Sequence, residues 1–365
     1  MHVPGLEESR WFTVYEAVSK PPSTPTQVTR RARLRATASR VFRLFGGRLR
    51  PKLCLSAGSL LLSFGCSPST DPCTHTGHAM PDGGSPLRNI RTVFIIVMEN
   101  HNWSDISGSA SAPYINGTLL PAGAHASQYY NPPGNHPSEP NYLWLEGGTN
   151  YGIHDDGAPA SNSLTNTDHL VALLNNANLS WTSYQESIGG DRCPLTGGGL
   201  YAPKHNPMVF FDDVTGDLDP LSAICISHVR PFSELATDLS SDKVARYNFI
   251  TPNLCNDMHN TAGCPTTDSI KNGDAWLAQW IPVLLASAAY RNNGAIFITW
   301  DESEGGDEPI GMLVLSPFAK PGYTSNVHFT HSSTLRTFQE VFNVGPFLCD
   351  AANATDLSDL FSLPP

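Results

Sequence analysis

The segment RTVFIIVMEN, residues 91–100, is the strongest indication of the fold in this chain of 365 residues. Its apolar centre is an unbroken run rich in β-branched residues, which is typical of a short strand buried on both faces of a parallel sheet. Glu99 and Asn100 follow the run directly, where the strand is expected to end. Ligands of open α/β sheets bind beyond the carboxyl ends of the strands, so this polar pair marks the edge at which a site is expected.

The rest of the chain repeats this pattern and predicts the fold class. Similar apolar runs lie at residues 247–254, 295–302 and 310–317, and helical patterns lie at residues 168–177, 273–290 and 331–342. Buried strands that alternate with helices predict an α/β fold, a three-layer α/β/α sandwich with a mostly parallel central sheet. The expected helix caps are Asp168, Asp274 and the serines near the start of the third helix, and Pro282 is expected to kink the second helix or mark an early turn.

Charge is distributed unevenly along the chain. Of the 22 Lys and Arg residues, 11 lie in residues 1–52 with only three acids, so residues 53–365 hold 11 bases and 30 acids, a net charge of −19. Such an acidic body repels phosphate backbones, which argues against nucleic acid as a partner. It can still bind a small phosphate ester if a metal ion supplies positive charge.

Residues 1–66 are interpreted as a leader that directs export. Basic residues at 43–52 precede an apolar run at 53–65 that is too short to span a membrane, and Cys66 follows. This order indicates a lipoprotein signal with Cys66 as the lipidated residue or an ordinary secretory signal, and a disordered basic leader is the alternative. Residues 67–89 are rich in Pro, Gly, Ser and Thr and are predicted to form a flexible tether. We therefore predict a secreted, periplasmic or lipid-anchored protein.

The ordered domain is predicted to span residues 90–365, with the Gly- and Pro-rich residues 188–232 as a cap or insertion. Six cysteines follow Cys66, an even number that permits three disulfides in an exported protein. None has the CxxC spacing of a zinc site, and scattered free thiols are the alternative. Pairing by loop length would join Cys255 with Cys264, Cys193 with Cys225, and Cys73 with Cys349.

Three of the predicted strands end in side chains that can bind a metal ion or a phosphate. These are Glu99 with Asn100, Asp257 with His259, and Asp301 with Glu302, and His331 starts the last predicted helix. Each alone has an ordinary explanation as a turn, a cap or a solvent-facing charge. However, five acids lie within residues 301–308, and their mutual repulsion favours a cation. Oxygen and imidazole ligands at one sheet edge suit Mg²⁺, Ca²⁺, Mn²⁺, Zn²⁺ or iron.

Ser138 is the candidate nucleophile. It lies between Pro137 and Pro140 in the segment GNHPSEPNYLWLEGG, residues 134–148, at the start of a run that is predicted to be helical. Taken alone, such a serine is an ordinary helix N-cap. A helix N-terminus also offers free N–H groups to an anion, and a metal ion there would lower the pKa of the hydroxyl. Serine, metal and helix start together are what phosphoryl transfer through a phosphoserine requires.

Six blocks of the chain resemble one known family. They are VMENHNWSDI (97–106), HPSEPNYLWLEGG (136–148), ITPNLCNDMHN (250–260), WLAQWIPVLLAS (276–287), FITWDESEGG (297–306) and THSSTLRTFQEVF (330–342). In this order, over about residues 90–345, the chain resembles the phosphoesterase family of the alkaline phosphatase-like superfamily, which includes bacterial phospholipases C and secreted acid phosphatases. The form HPSEPNY is more similar to the acid phosphatase branch.

The resemblance implies a role for each candidate residue. The nucleophile would be Ser138, which would also bind a divalent metal ion together with Glu99, Asn100, Asp301 and Glu302. A second metal ion or the phosphate would be held by Asp257, His259 and His331, and in a one-metal enzyme the histidines would neutralise phosphate oxygens and protonate the leaving group. The phosphate site would also be lined by His136 and Asn141.

The resulting hypothesis is an exported, metal-dependent phosphomonoesterase that acts on a small phosphate ester. A phosphodiesterase of phospholipase C type is the alternative within the same class. A surface lipoprotein that binds phosphate or metal without catalysis is the alternative from another class. A sulfatase is disfavoured because Asn141 and Tyr142 follow Pro140, where a sulfatase carries a basic residue shortly after its nucleophile. No GxSxG motif surrounds Ser138, so the signature of a Ser-His-Asp hydrolase is also missing.

Overall fold

The computed structural model describes residues 85–364. The predicted leader, with its lipidation candidate Cys66, and the predicted tether up to residue 84 lie outside the described residues. Within the described range, no helix is long and apolar enough to cross a membrane.

Strands and helices alternate along the described chain. The strands are β1 Thr92–Met98, β2 Ala124–Ala126, β3 Tyr129–Tyr130, β4 Trp181–Gln185, β5 Val229–Pro231, β6 Tyr247–Thr251, β7 Gly294–Trp300, β8 Met312–Leu315, β9 Tyr323–Ser325 and β10 Phe329–Thr330. The α-helices are α1 Trp103–Ile106, α2 Leu120–Ala122, α3 Ser138–Gly147, α4 Pro159–Asn162, α5 Leu170–Asn176, α6 Asp212–Thr215, α7 Ala223–His228, α8 Leu235–Ser240, α9 Ser269–Leu285, α10 Ala288–Arg291 and α11 His331–Phe342. Short 3₁₀ turns lie at Pro86–Asn89, Pro203–His205, Pro207–Phe210, Phe232–Glu234, Cys349–Ala352 and Leu357–Leu360, and a π-helical turn at Ile115–Leu119 precedes α2.

Eight strands form one central sheet in the order β5–β4–β6–β1–β7–β8–β2–β9. Five neighbouring pairs are parallel, whereas β8 runs antiparallel to both β7 and β2. The chain returns from β7 to β8 without an intervening helix, and a parallel pairing would need a longer crossover. The mostly parallel sheet predicted from the sequence is confirmed.

Helices cover both faces of the central strands β6, β1 and β7, which are buried along their whole length. On one face, Phe249 packs against Tyr142 of α3, and Phe297 packs against Phe338 of α11. The side chain of Met98 lies on the opposite face, against α9. This three-layer arrangement explains the unbroken apolar run of the opening stretch, because neither face of the strand meets water.

The N-caps of the three predicted helices differ from those expected. They are His169 for α5, Asp268 for α9 and Thr330 for α11, in place of Asp168, Asp274 and the serines, although Ser333 takes part in the cap of α11 by accepting a hydrogen bond from the backbone N–H of Thr330. The carboxylate of Asp274 instead accepts hydrogen bonds from the backbone N–H groups of residues 114 and 115. Gly273 lies inside α9, where a Cβ atom would come within 2.4 Å of Met258, so close packing rather than a helix boundary requires this glycine. Pro282 lies in the last turn of α9.

Two predicted disulfides are confirmed, Cys193–Cys225 and Cys255–Cys264. The third pairing involves Cys73, which lies outside the described residues. The predicted cap region 188–232 also contributes to the body of the domain, because its strand β5 pairs with β4 at the edge of the central sheet.

A buried acid in α3 gives the protein a pH-dependent stability that a single substitution should remove. Glu146 is buried, its Oε1 accepts a hydrogen bond of 2.5 Å from Tyr247, and its Oε2 has no hydrogen-bond partner within residues 85–364. Burial raises the pKa of Glu146 to about 8. The folded protein therefore keeps a proton that the unfolded chain loses near pH 4.5, so the free energy of unfolding falls as pH rises from about 4.5 to about 8.

Glu146→Gln imitates the protonated acid, and we expect its stability advantage over the wild type to grow to roughly 3 kcal/mol by pH 8. Urea unfolding of both proteins at pH 5 and pH 8 measures this difference, in which the other titrating groups cancel. Glu308→Gln, at an exposed glutamate, serves as the matched control with a pH-independent difference. A pH-independent difference for Glu146→Gln as well would contradict the prediction.

Candidate active site

The candidate residues meet at one edge of the sheet because their strands are neighbours. Glu99 and Asn100 follow β1, while Asp257 lies in the loop after β6 and Asp301 follows β7. Since β6 and β7 both run parallel to β1, all three strands end at the same edge. The first turn of α3 brings Ser138 to this edge, where its Oγ donates a hydrogen bond of 3.1 Å to Glu99.

Ser138 is the first residue of α3 and does not act as its cap. The N-cap is Pro137, and the carboxylate of Asp156, not the Ser138 hydroxyl, accepts a hydrogen bond from a first-turn N–H group, that of Glu139. The hydroxyl of Ser138 is buried and directed at the carboxylate of Glu99 instead. Its side chain therefore belongs to the polar cluster at the sheet edge rather than to the helix end.

Glu99 is the centre of this cluster. Its Oε1 accepts a hydrogen bond of 2.7 Å from the Tyr142 hydroxyl and lies 3.1 Å from Nε2 of His205. Burial raises the pKa of Glu99 to about 8, although the positive charge of Lys204 opposes this shift. A buried carboxylate with a raised pKa is what a bound cation would compensate.

Asn100 links the carboxylates that follow β7. Its backbone N–H donates to Asp301 at 3.1 Å, and its side-chain amide donates to Glu302 at 2.6 Å. Burial and then repulsion from Glu99 raise the pKa of Asp301 well above its usual range, and burial raises that of Glu302. Oδ1 of Asn100 and Oδ2 of Asp301 are buried without a hydrogen-bond partner among the described residues.

Asp257 and His259 lie beside this group in the loop after β6. Oδ1 of Asp257 accepts a hydrogen bond of 2.8 Å from the backbone N–H of His259, and its Oδ2 lies 3.4 Å from Nδ1 of His205. Burial and repulsion from Glu99 raise the pKa of Asp257 well above its usual range. The imidazole of His259 is exposed, and its ring centre lies 5.9 Å from that of His205.

Both ring nitrogens of His331 bind within the protein. Nε2 donates a hydrogen bond of 2.6 Å to the backbone carbonyl of Asp301, which leaves Nδ1 to accept one of 3.0 Å from the Tyr129 hydroxyl. Burial lowers the pKa of His331 to about 4, so the ring is neutral. In this arrangement His331 holds the end of β7 in position.

The two predicted substrate-binding residues contact Glu302. Nδ1 of His136 lies 2.5 Å from Oε2 of Glu302, and the amide of Asn141 donates to the same oxygen at 3.2 Å. Asn141 also accepts a hydrogen bond from Asn135. These side chains therefore orient one carboxylate of the predicted metal site.

Sequence reasoning missed Lys204 and His205, which the predicted cap region supplies from a 3₁₀ turn. Nζ of Lys204 lies 3.4 Å from Oγ of Ser138 and 2.8 Å from Asp156. His205 is buried between Glu99 and Asp257, and burial followed by the positive charge of Lys204 lowers its pKa well below the usual range. One signal could have found this pair: Lys204 is the only lysine between residues 53 and 242, and a histidine follows it.

The predicted metal ligands fit a hard divalent cation by their chemistry. Carboxylate and amide oxygens are the donors that such ions prefer, and three of these oxygens, on Asn100, Asp257 and Asp301, are buried without a hydrogen-bond partner among the described residues. Two groups of these ligands are joined by direct hydrogen bonds: Ser138 bonds to Glu99, and Asn100 bonds to both Asp301 and Glu302. A separate group, His101, Asp105 and Glu304, lies on the segments that follow β1 and β7, with Asp105 in α1, and its ligand atoms are within 4.8 Å of one another.

The fold is alkaline phosphatase-like. It superposes on the crystal structure of a protein of the alkaline phosphatase superfamily from Vibrio parahaemolyticus with a TM-score of 0.50 and 11% identity, covering 76% of this chain and 71% of the other. Residues 121–345 match the phosphoesterase family, and the chain belongs to that family. The resemblance inferred from the six sequence blocks is thus confirmed.

Two relatives indicate the chemistry of the family. A phosphatidylinositol-3-phosphatase of Mycobacterium tuberculosis is 30% identical over 287 residues, covering 78% of this chain and 88% of the relative. A phosphate-repressible acid phosphatase of Penicillium chrysogenum is 30% identical over 208 residues, covering 54% of this chain and 47% of the relative. The chain thus spans about half the length of the fungal relative. Family and relatives together show that the protein is a hydrolase of phosphoric esters.

Proposed function

We propose that the protein is an exported, metal-dependent phosphomonoesterase that acts through a phosphoserine at Ser138. The observation that carries this proposal is the position of the Ser138 hydroxyl. It lies at the start of α3, hydrogen-bonded to Glu99 and 3.4 Å from the ammonium group of Lys204. A nucleophile between a proton acceptor and a positive charge suits attack on a phosphate dianion.

Lys204 is proposed to bind the phosphate oxygens. Attraction to Glu99 and Asp156 raises its pKa against the opposing effect of burial, so the side chain stays charged. Asp156 also accepts a hydrogen bond from the backbone N–H of Glu139, so it anchors Lys204 to the first turn of α3. The helix start adds a second electropositive group on the same side of the serine.

The metal ion is proposed to be held by six side chains of this edge. These ligands are Glu99, Asn100, Ser138, Asp257, Asp301 and Glu302, in one site or two. When bound, the metal ion would lower the pKa of the serine hydroxyl and neutralise charge on the phosphate. His136 and Asn141 are proposed to fix the orientation of Glu302 for this purpose.

The reaction is proposed to proceed in two steps. Oγ of Ser138 forms a bond to phosphorus while the bond to the alcohol breaks, and the hydroxyl proton leaves along the hydrogen bond to Glu99. The leaving alcohol takes a proton from His259, whose exposed imidazole can also exchange protons with solvent. Water then hydrolyses the phosphoserine. His331 acts as a positioning residue because both of its ring nitrogens hold neighbouring groups.

Export is proposed from the basic and apolar segments that precede Cys66. The two disulfides of the described residues support an oxidising compartment, since disulfides persist mainly in exported proteins. A lipid anchor on Cys66 remains part of the proposal.

A substrate panel tests the monoesterase assignment. The purified protein should release product from p-nitrophenyl phosphate with a kcat/KM roughly 100-fold above that for bis(p-nitrophenyl) phosphate, because the positive charges of Lys204 and of the proposed metal ion favour a dianion. Phosphatidylcholine in mixed micelles should release no phosphocholine. A preference for the diester or for phosphatidylcholine would favour a phospholipase C-type activity instead.

A further inference from the structure

Two adjoining cavities lie along the predicted cap region, and Lys204 lines the inner one. The inner cavity has a volume of about 390 Å³, and its lining includes Asp156, Ala158, Leu195, Tyr201, Pro203 and Lys204. The outer cavity, of about 610 Å³, continues from Leu195 and Thr196, which line both. Volumes of this size hold small organic ligands.

The inner cavity begins at the catalytic residues. Lys204, which lines it, lies 3.4 Å from Oγ of Ser138, and Asp156 lies 2.8 Å from Lys204. A phosphate bound between Ser138 and Lys204 would therefore place its ester oxygen at the entrance of this cavity. The proposed phosphate-binding pair, Ser138 and Lys204, therefore adjoins a cavity that has space for the alcohol of the ester.

Polarity changes along the inner cavity. The charged side chains, Asp156 and Lys204, are at the catalytic end, whereas the remaining lining consists mainly of small or apolar residues such as Ala158, Leu195 and Pro203. An apolar lining stabilises binding because apolar ligand surface is removed from water. It offers few hydrogen-bond partners to a polyhydroxylated group. This distribution matches a molecule with an anionic end and an apolar body.

A disulfide and a backbone hydrogen bond hold the wall that separates the two cavities. Cys193, two residues before Leu195, forms the disulfide with Cys225, and its backbone N–H donates to the carbonyl of Pro220. Pro220 lines the outer cavity as well. A braced wall retains its shape without a ligand, so little ordering entropy is lost when one binds.

We propose that the inner cavity is the leaving-group subsite and that the enzyme prefers phosphomonoesters of long, apolar alcohols over those of short ones. The proposal rests on the proposed function in one respect, the binding of phosphate at Ser138. The alkyl or aryl body of the ester lies against Leu195, and its far end reaches the outer cavity past Thr196.

A series of n-alkyl phosphates below their micelle concentrations tests this subsite, with release of inorganic phosphate as the readout. For the wild type, kcat/KM should rise by roughly 30-fold from ethyl phosphate to octyl phosphate, because several methylenes leave water. Thr196→Trp adds a large ring at an exposed position between the two cavities. This variant should lose most of the gain for octyl phosphate and keep the wild-type kcat/KM for ethyl phosphate.

Thr118→Trp, at an exposed threonine outside both cavities, is the matched control and should behave as the wild type. Leu195→Ser provides a second variant, which should lower kcat/KM for octyl phosphate without blocking the cavity. Equal kcat/KM for ethyl and octyl phosphate in the wild type would overturn the subsite, and so would a Thr196→Trp variant with the full octyl preference. Absence of phosphate release from every ester, p-nitrophenyl phosphate included, would instead overturn the proposed function together with the subsite.

Discussion

Ser138→Ala is expected to lower kcat for p-nitrophenyl phosphate by ~10⁴-fold or more, because it removes the atom that bonds to phosphorus. Lys204 and His205 stay in place, so the variant should still bind phosphate. Tyr142 continues to donate to Glu99, so the loss of one hydrogen bond from Ser138 should leave the fold intact. Steady-state kinetics and a phosphate competition assay measure the two effects separately.

Two controls separate the chemical role of Ser138 from a structural one. Ser241→Ala, at an exposed serine, should keep full turnover. Acid quenching of the wild type during turnover of ³²P-labelled substrate should place the label on Ser138, and the alanine variant should stay unlabelled. Turnover of Ser138→Ala within tenfold of the wild type would exclude this residue as the nucleophile.

Removal of divalent metal ions is expected to lower turnover by ~10³-fold or more, with recovery when the ions are restored. Glu99, Asp301 and Glu302 are buried together, and the pKa of each is raised by burial and by the charge of a neighbouring carboxylate. Without a cation these carboxylates repel one another and the phosphate. Dialysis against a chelator, elemental analysis and an assay with Mg²⁺, Mn²⁺, Ca²⁺ or Zn²⁺ measure the effect and identify the ion.

Asp301→Asn replaces one of the proposed metal ligands and is expected to have the same effect as metal removal. This variant should lose both bound metal and turnover, whereas Glu308→Gln, at an exposed position of the same loop, should lose neither. A protein that is free of metal by elemental analysis and still turns over at the wild-type rate would refute metal dependence.

The strand ends could be predicted because they depend on local sequence. The apolar runs that became β1, β6 and β7 are buried on both faces, and a polar pair follows both β1 and β7. Parallel strands share an edge, so these residues had to lie near one another once the sheet order placed β6, β1 and β7 together. The family blocks then added Ser138 to the same edge.

The exact residue at which each helix begins could not be predicted from the sequence, because the choice of capping residue depends on tertiary contacts. Asp274 was expected to cap α9, but it binds two backbone N–H groups near residue 115, which lie 159 positions away in sequence. Gly273, the residue before it, lies within the helix, where it packs closely against Met258. Neither contact leaves a local signal.

The fold class, the family and the edge of the sheet at which the polar residues gather could be inferred from the chain alone, because periodicity and strand-end residues are local properties. The contacts between side chains depend on the tertiary structure. It added Lys204 and His205 from a turn 66 residues beyond Ser138, and it directed His331 towards the backbone of Asp301. The physical reason is that hydrogen bonds and burial depend on distances in space, which the packing of three layers sets and sequence separation does not.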